Sequence, residues 1–525
     1  MHRLFVILIV MLLGIRCSQT PMTTREPVNT VVGYKPPQFQ DSNRLERLKR
    51  AFPLVDQFYA EHAKQNNFPA VAYGIVFDGK LVHSGATGVI DIEKKLPATT
   101  ASMFRIASMT KSFTAMAIVR LRDEGKLALT DPAEKYIPEM KGFKYLTADA
   151  PKITIQNLLT MTAGFPEDNP WGDRQLEDTD QELIDFLKQG VAFSNIPGHR
   201  FEYSNLGYAI LGNIVTRVSG VPYQKYIDDI ILKPLGMVDT KWEYANVPKD
   251  RLAIGYRWED EQWKEEPMLH DGAYGAMGGL ITTIDDFSKY LALHLAALPP
   301  SSEADTGPVA RSSLREMHRP FLPTLFADAK TARGEPCPIV SGYAYGLGVR
   351  QDCKGIVRIS HSGGLPGFGS EYRFYPDYGI GVICFANKTY ANAGSVNARV
   401  IDTLMAIAKL QPRAIPPSDI LTRKKEQLIS LLSSWDEKLG AEILAENFFL
   451  DRSRESWMRH AGEVLQETGK IVAIEPLVPQ NQLRGTFRMI GEKKALDVFF
   501  TLSPEIDPKV QQLDLYLVDG ATGQR

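Results

Sequence analysis

The sequence predicts an α+β fold: an antiparallel sheet flanked by helices, a mostly helical second lobe, and a small C-terminal α+β unit. Three observations predict it. Strand-like runs occur at 70–89 and again between 343 and 388, with helical spacing between them, so one sheet is assembled from distant segments. The pattern then breaks at three prolines in "QPRAIPPSD" (411–419), and a second helix-then-strand series follows. Finally, 525 residues exceed one typical domain, and 44% hydrophobic content supplies a sizeable core.

The elements follow in order. Arg3 precedes an unbroken apolar run, Leu4 to Leu13, which has the charged start and length of a secretory signal, and residues 1–17 are assigned to it. The run is too short to span a bilayer comfortably. Cys17 would offer a lipid attachment and hence an N-terminal membrane tether; Ile15 and Arg16 argue against it, because such cleavage sites want small residues. The expected location is periplasmic or secreted. Residues 18–40, rich in Thr, Pro, Gln and Val without periodicity, are expected to be a linker. A main domain is placed at 41–412. It opens on one amphipathic helix carrying Leu45, Leu48, Phe52, Val55, Phe58 and Tyr59. "AVAYGIVFDGKLVHSGATGV" then reads as a hairpin turning at Asp78-Gly79.

Residues 109–300 read as mainly helical, and 297–312 as an exposed Pro/Ser loop. Strands return in "YAYGLGVRQ", "GIVRISHSGG" and "SEYRFYPDYGIGVICFANK", the last a hairpin turning at Pro376–Gly379. Export implies an oxidising compartment, and a fold-back of the segment between Cys337 and Cys353 would let them pair; Cys384 sits in an apolar run as a core thiol. "NARVIDTLMAIAKL" reads as a helix closing on the sheet. Residues 413–525 are placed as an accessory domain of two or three helices followed by strands.

Composition excludes some function classes. Sixty basic residues against 62 acidic ones leave a net charge of -2, and no Lys/Arg block occurs, so no nucleic-acid partner is expected. There is no Gly-x-Ser-x-Gly elbow, no His-Glu-x-x-His and no Cys-x-x-Cys, which disfavours α/β-hydrolase and zinc chemistry. No phosphate-binding glycine loop precedes a helix, and no metal or cofactor is expected.

Three short motifs carry chemistry. In "FRIASMTKSF", Ser108 and Lys111 are three apart and share a face if they lie on a helix. A helix starting at Ser108 would offer free N–H groups and a favourable dipole to a developing anion. A lysine acting as base must be neutral part of the time, which burial among Phe104, Ile106, Met109 and Phe113 would promote. Read plainly, Ser108 is a helix cap and Lys111 a common helix residue; no other serine here has a lysine at that spacing. Tyr203-Ser204-Asn205 stands before an apolar helical run, where Ser204 or Asn205 would serve as cap. Beside a nucleophile, Tyr203 becomes a proton carrier if a neighbouring lysine depresses its pKa, and Asn205 can bond an amide. His361-Ser362-Gly363-Gly364 ends a strand; its glycines let a ligand approach closely, and an edge N–H can donate to an oxyanion.

Ser-x-x-Lys, Tyr-x-Asn and His-x-Gly in that order resemble the serine β-lactamase and penicillin-recognising hydrolase superfamily, in its class C β-lactamase and D-alanyl-D-alanine carboxypeptidase branch. "LLTMTAGFP", "GGLITTIDDFSKY" and "HSGGLPGF" have the same cadence, and the resemblance covers about residues 45–410. It implies a β-lactamase/transpeptidase-like fold and a small-molecule or peptide substrate. Ser108 would be acylated, Lys111 would share in its deprotonation, and Tyr203 would act as partner base or relay a proton to the leaving group. Asn205 would hold Lys111 and the substrate amide, His361 and Gly363 would contact substrate, and the N–H groups of Ser108 and Gly364 would form the oxyanion hole. The departure is His361, where β-lactamases usually carry lysine. A histidine of ordinary pKa, ~6.5, is only partly charged at neutral pH, so a peptidase, amidase or esterase with weak β-lactam turnover is expected over an efficient β-lactamase. Two other readings stand beside it: a silent scaffold that binds cell-wall peptides or a protein partner, and a chain whose C-terminal domain does the work.

Overall fold

The computed structural model describes residues 30, 33–330 and 334–519, so the signal and lipidation assignments, Cys17 included, lie outside the described residues. The first helix of the main domain is two: α1 (Arg44–Lys49) and α2 (Phe52–Gln65). The cause is Pro53 at the second position of α2, which has no N–H and whose ring would strike the carbonyl four residues back. The hairpin forms as the sequence predicts, from β1 (Ala70–Phe77) and β2 (Lys80–Asp91). Both turn residues, Asp78 (φ 48°) and Gly79 (φ 76°), are left-handed, as a two-residue hairpin turn requires. A short β3 (Leu96–Pro97) follows on the edge.

The middle is helical as expected and includes α3 (Lys111–Asp123), α4 (Asn205–Ser219) and α5 (Ile284–Ala296). It also holds a hairpin that the periodicity did not reveal, Tyr256–Glu259 with Gln262–Glu265, which pairs Trp258 with Trp263.

The returning strands are β4 (Phe321–Phe326), β5 (Ile339–Tyr343), β6 (Gly348–Gln351), β7 (Val357–Leu365), β8 (Phe368–Tyr375) and β9 (Ile380–Ala386). "YAYGLGVRQ" is thus a turn between two strands, not one strand. Its Gly346 (φ 69°) lies so close to Ser112 that a Cβ would meet backbone at 2.7 Å. β4 carries Pro323 and escaped the sequence reading; it is tolerated because β4 is the sheet edge.

The nine strands run in the order β3-β2-β1-β9-β8-β7-β6-β5-β4, so the sheet joins both ends of the main segment. One face packs Val71, Tyr73, Ile75, Ile380 and Val382 against α1, α2 and the closing helix α6 (Ala393–Ala408). The other packs Ala72, Val76, Ile383 and Phe385 against the helical lobe. Strands β1 and β9 are buried along their whole length because both faces are covered.

Cys337 and Cys353 are disulfide-bonded across the β5–β6 hairpin, and Cys384 is a buried free thiol. The bridge is 16 residues apart in sequence, and closing a loop of that size is worth about 3 kcal/mol. Cys337→Ser is therefore expected to lower the unfolding free energy by about that amount in urea titrations, with reductant producing the same shift in the parent protein only.

Beyond Ala414, three helices (Asp419–Ser434, Glu437–Ile443 and Arg454–Thr468) pack on a five-stranded sheet around a separate cluster that includes Leu428, Phe487, Val498 and Phe500. Two of its strands, Ile471–Ile474 and Val478–Asn481, were not anticipated.

Candidate active site

Ser108 does not begin the α-helix. It sits in a single 3₁₀ turn, Ala107–Thr110, and α3 starts at Lys111, so the expected cap at Ser108 is not formed. The residue before it, Ala107, is left-handed (φ 51°), a strained conformation for a residue with a side chain. The tight turn keeps Ser108 and Lys111 in reach without a helix between them: Lys111 Nζ donates to Ser108 Oγ at 2.9 Å. The same ammonium nitrogen meets Asn205 Oδ1 at 2.7 Å and the Met277 carbonyl at 2.9 Å.

Lys111 is fully buried. Phe104, Ile106, Met109 and Phe113 are buried too, as expected, yet the groups around the amine are others: Met277 Sδ at 3.8 Å and the rings of Tyr203 and Tyr208 at 5.0 and 5.8 Å. This burial pushes the lysine down to about 7, against the pull of the Asp173 and Asp168 carboxylates.

Tyr203 and Asn205 arrive on the entry to α4. Ser204 caps that helix, accepting from the Gly207 N–H at 3.3 Å. The buried Asp168 carboxylate adds a second cap, accepting from the N–H groups of Asn205 (2.6 Å) and Leu206 (2.9 Å). Asn205 is thereby held with its carbonyl on Lys111 and its amide on Asn169 and Asp173, at 3.2 and 3.3 Å. Burial drives the Tyr203 phenol well above its ordinary pKa, with a hydrogen bond to Ser108 opposing that rise. The depression conditionally expected from a neighbouring lysine is absent, because the cost of burying the phenolate outweighs every interaction that would lower it.

His361 is buried. Its Nδ1 lies 2.6 Å from the Ser362 carbonyl, which can only accept, so Nδ1 carries the proton. Nε2 then accepts from the Tyr343 hydroxyl at 2.8 Å. Burial and the nearby Lys111 push this histidine down to about 3, and it stands as a neutral imidazole.

Gly363 presses on the nucleophile's turn: a Cβ there would fall 2.2 Å from the Ile106 carbonyl oxygen and 3.0 Å from Ala107 Cβ. Beyond Ser360, β7 is paired only with β8, since the β6 ladder ends at Gly348–Ser360. The Gly363–Gly364 edge is therefore open toward Ser108. Ser108, Tyr203, His361, Gly363 and Gly364 all line one cavity of about 890 Å³.

Sequence reasoning missed the acidic support of this site. Asp173, pushed up to about 6 by burial, accepts from Tyr390 at 2.9 Å and from Asn205. "FPEDNPWGD" contains both aspartates, but nothing in a chain with 62 acidic residues marks those two. Among the described residues no cluster of metal ligands occurs.

Comparison with known proteins bears on the fold and the family. "Protein flp" of Staphylococcus aureus (strain N315) is 28% identical over 429 residues, 80% of this chain and 78% of its own. The octameric penicillin-binding protein homologue from Pyrococcus abyssi superposes with a TM-score of 0.55 at 22% identity, covering 88% of this chain and 95% of that one. A penicillin-binding protein from Bacillus halodurans gives 0.52 at 24% identity, over 66% and 99%. These likenesses establish the fold, which is β-lactamase/transpeptidase-like. Residues 55–405 match the family model described as Beta-lactamase, and the chain belongs to that family.

Proposed function

We propose that this protein is an exported serine hydrolase that cleaves an amide or ester through an acyl-enzyme on Ser108. The observation that carries the reading is the buried Lys111, held 2.9 Å from Ser108 Oγ and pushed down to about 7. Its neutral amine takes the Ser108 proton as Oγ attacks the substrate carbonyl carbon. The carbonyl oxygen, now an oxyanion, is met by the N–H groups of Ser108 and Gly364. A phenol raised by burial holds its proton, so Tyr203 suits a relay from Lys111 to the leaving group better than the role of base. The C–N or C–O bond then breaks, the protonated amine or alcohol departs, and water releases the acyl group by the reverse proton path. Asn205 keeps Lys111 aimed at Ser108 and leaves substrate binding to share its amide with Asp173.

The neutral His361 offers no fixed cation where β-lactamases place one, which favours a peptidase, amidase or esterase with weak β-lactam turnover. Labelling with a fluorophosphonate, and separately with a penicillin, tests this by intact mass and peptide mapping. The expected result is one fluorophosphonate adduct on Ser108. A lasting penicillin adduct would point to a carboxypeptidase-like site and its absence to an esterase or aminopeptidase. No adduct with either reagent would instead support a silent scaffold.

A further inference from the structure

The cavity does not end at Ser108. It runs back along β7, whose Arg358, Ser360 and Ser362 alternate on one face and line it. Their partners on β8 share that face: Arg373 lies opposite Ser360, and Glu371 opposite Ser362. Arg373 is satisfied, donating to Glu371 at 2.8 Å and to the Gly394 carbonyl at 2.6 Å. Arg358 is not. Its Nε is buried and meets no acceptor, and no hydrogen bond or salt bridge joins its guanidinium to any described residue. Directly opposite it on β6 stands Arg350, equally without such a partner among the described residues.

Like charges facing each other across an antiparallel pair are destabilising, and a buried donor left unmade costs more still. Two acids act on this charge at a distance without bonding it: Glu371 is held by Arg373 and Asn397, and Asp402 on α6 is exposed and makes no hydrogen bond or ion pair with Arg350 or Arg358. A guanidinium edge facing a substrate cavity is the fork that a planar carboxylate fills with two hydrogen bonds. We propose that this arm of the pocket is a carboxylate subsite in which Arg358, backed by Arg350, binds an acidic group remote from the scissile bond. Four residues of strand separate Arg358 from Ser362, so the carboxylate lies on the order of 13 Å along β7 from Ser362. The subsite is distinct from the His361–Gly363 strand end.

The inference uses the hydrolase reading for its kinetic test and has a second test without it. Mono-4-nitrophenyl esters of sebacate, dodecanedioate and tetradecanedioate, chains long enough to span that distance, carry the acid on the acyl side; the acetate ester of 10-hydroxydecanoate carries it on the alcohol side. Each is compared with its methyl-capped form. In one series the free acid is expected to exceed its capped form by at least about tenfold in kcat/KM, as a charge-assisted pair warrants. Arg358→Gln is expected to erase that ratio and Arg358→Lys to restore part of it. A ratio near unity in both series, or one that Arg358→Gln leaves intact, overturns the subsite while leaving the hydrolase standing. If no ester turns over, calorimetry of dodecanedioate with the Ser108→Ala protein decides: binding weakened at least about tenfold by adding Arg358→Gln supports the subsite, and no binding, or binding that Arg358→Gln leaves intact, overturns it.

Discussion

Replacing Lys111 with methionine is expected to lower the acylation rate of Ser108 by roughly 10²–10⁴-fold, the range of a positioned general base, without lowering the unfolding midpoint. The two expectations belong together. Lys111 is fully buried, and its amine is bonded to Ser108, Asn205 and the Met277 carbonyl. Burial pushes this lysine well below its ordinary value, so folding works against its protonation, and an apolar side chain of similar length removes that cost. Asp173 and Asp168 would remain supported by Tyr390 and by the α4 N–H groups.

The same residue sets the pH dependence. Only the neutral amine can accept the serine proton, so the parent rate should climb through about pH 7 and level off above it. Because the folded lysine lies below its unfolded value of ~10.4, the unfolded chain binds more protons between those limits. Stability should therefore rise with pH from about 7 towards 10 through this group, and that slope should vanish in Lys111→Met. Burst kinetics with a 4-nitrophenyl ester and urea titrations across this range measure both. A pH profile unchanged in Lys111→Met would assign the base elsewhere.

Much of this was legible in the sequence because it depends on local pattern. Asp78-Gly79 turned where two positive φ angles are needed, and the helical middle and the sheet joined from both ends followed from periodicity. The three motifs converge on one cavity, as their order suggested. What was missed depends on tertiary contact. Pro53 inside an amphipathic run divides a helix that periodicity alone continues. The neutral state of His361, the raised Tyr203 and the pairing of Asp173 with Tyr390 are set by burial and by partners hundreds of residues away. A motif names such residues but not their charge. Arg350 and Arg358, which make no hydrogen bond or ion pair through their guanidinium groups among the described residues, are likewise ordinary strand arginines until the β6–β7 register sets them side by side.

Gly363→Val is expected to reduce kcat/KM by at least about 100-fold, the effect of an ångström-scale misplacement of a reacting group. The first added carbon would fall 2.2 Å from the Ile106 carbonyl oxygen and 2.3 Å from Ser370 Oγ. That serine cannot simply swing aside, since it donates to the same Ile106 carbonyl at 2.7 Å. The obstructing oxygen is backbone, and Ile106 leads directly into the strained Ala107 and then Ser108. Relief therefore has to come from moving the nucleophile's turn away from β7. Such a shift would separate Ser108 from the open Gly363–Gly364 edge and disturb its 2.9 Å contact with Lys111 at the same time. Gly348→Ala is the control on the same sheet, because a Cβ there would meet only the Ser360 carbonyl at 3.4 Å, an ordinary contact. Activity close to the parent's is expected for it. If Gly363→Val were equally active, the close approach of β7 to the serine turn would not be what positions Ser108, and the strain at Ala107 would have to hold it alone.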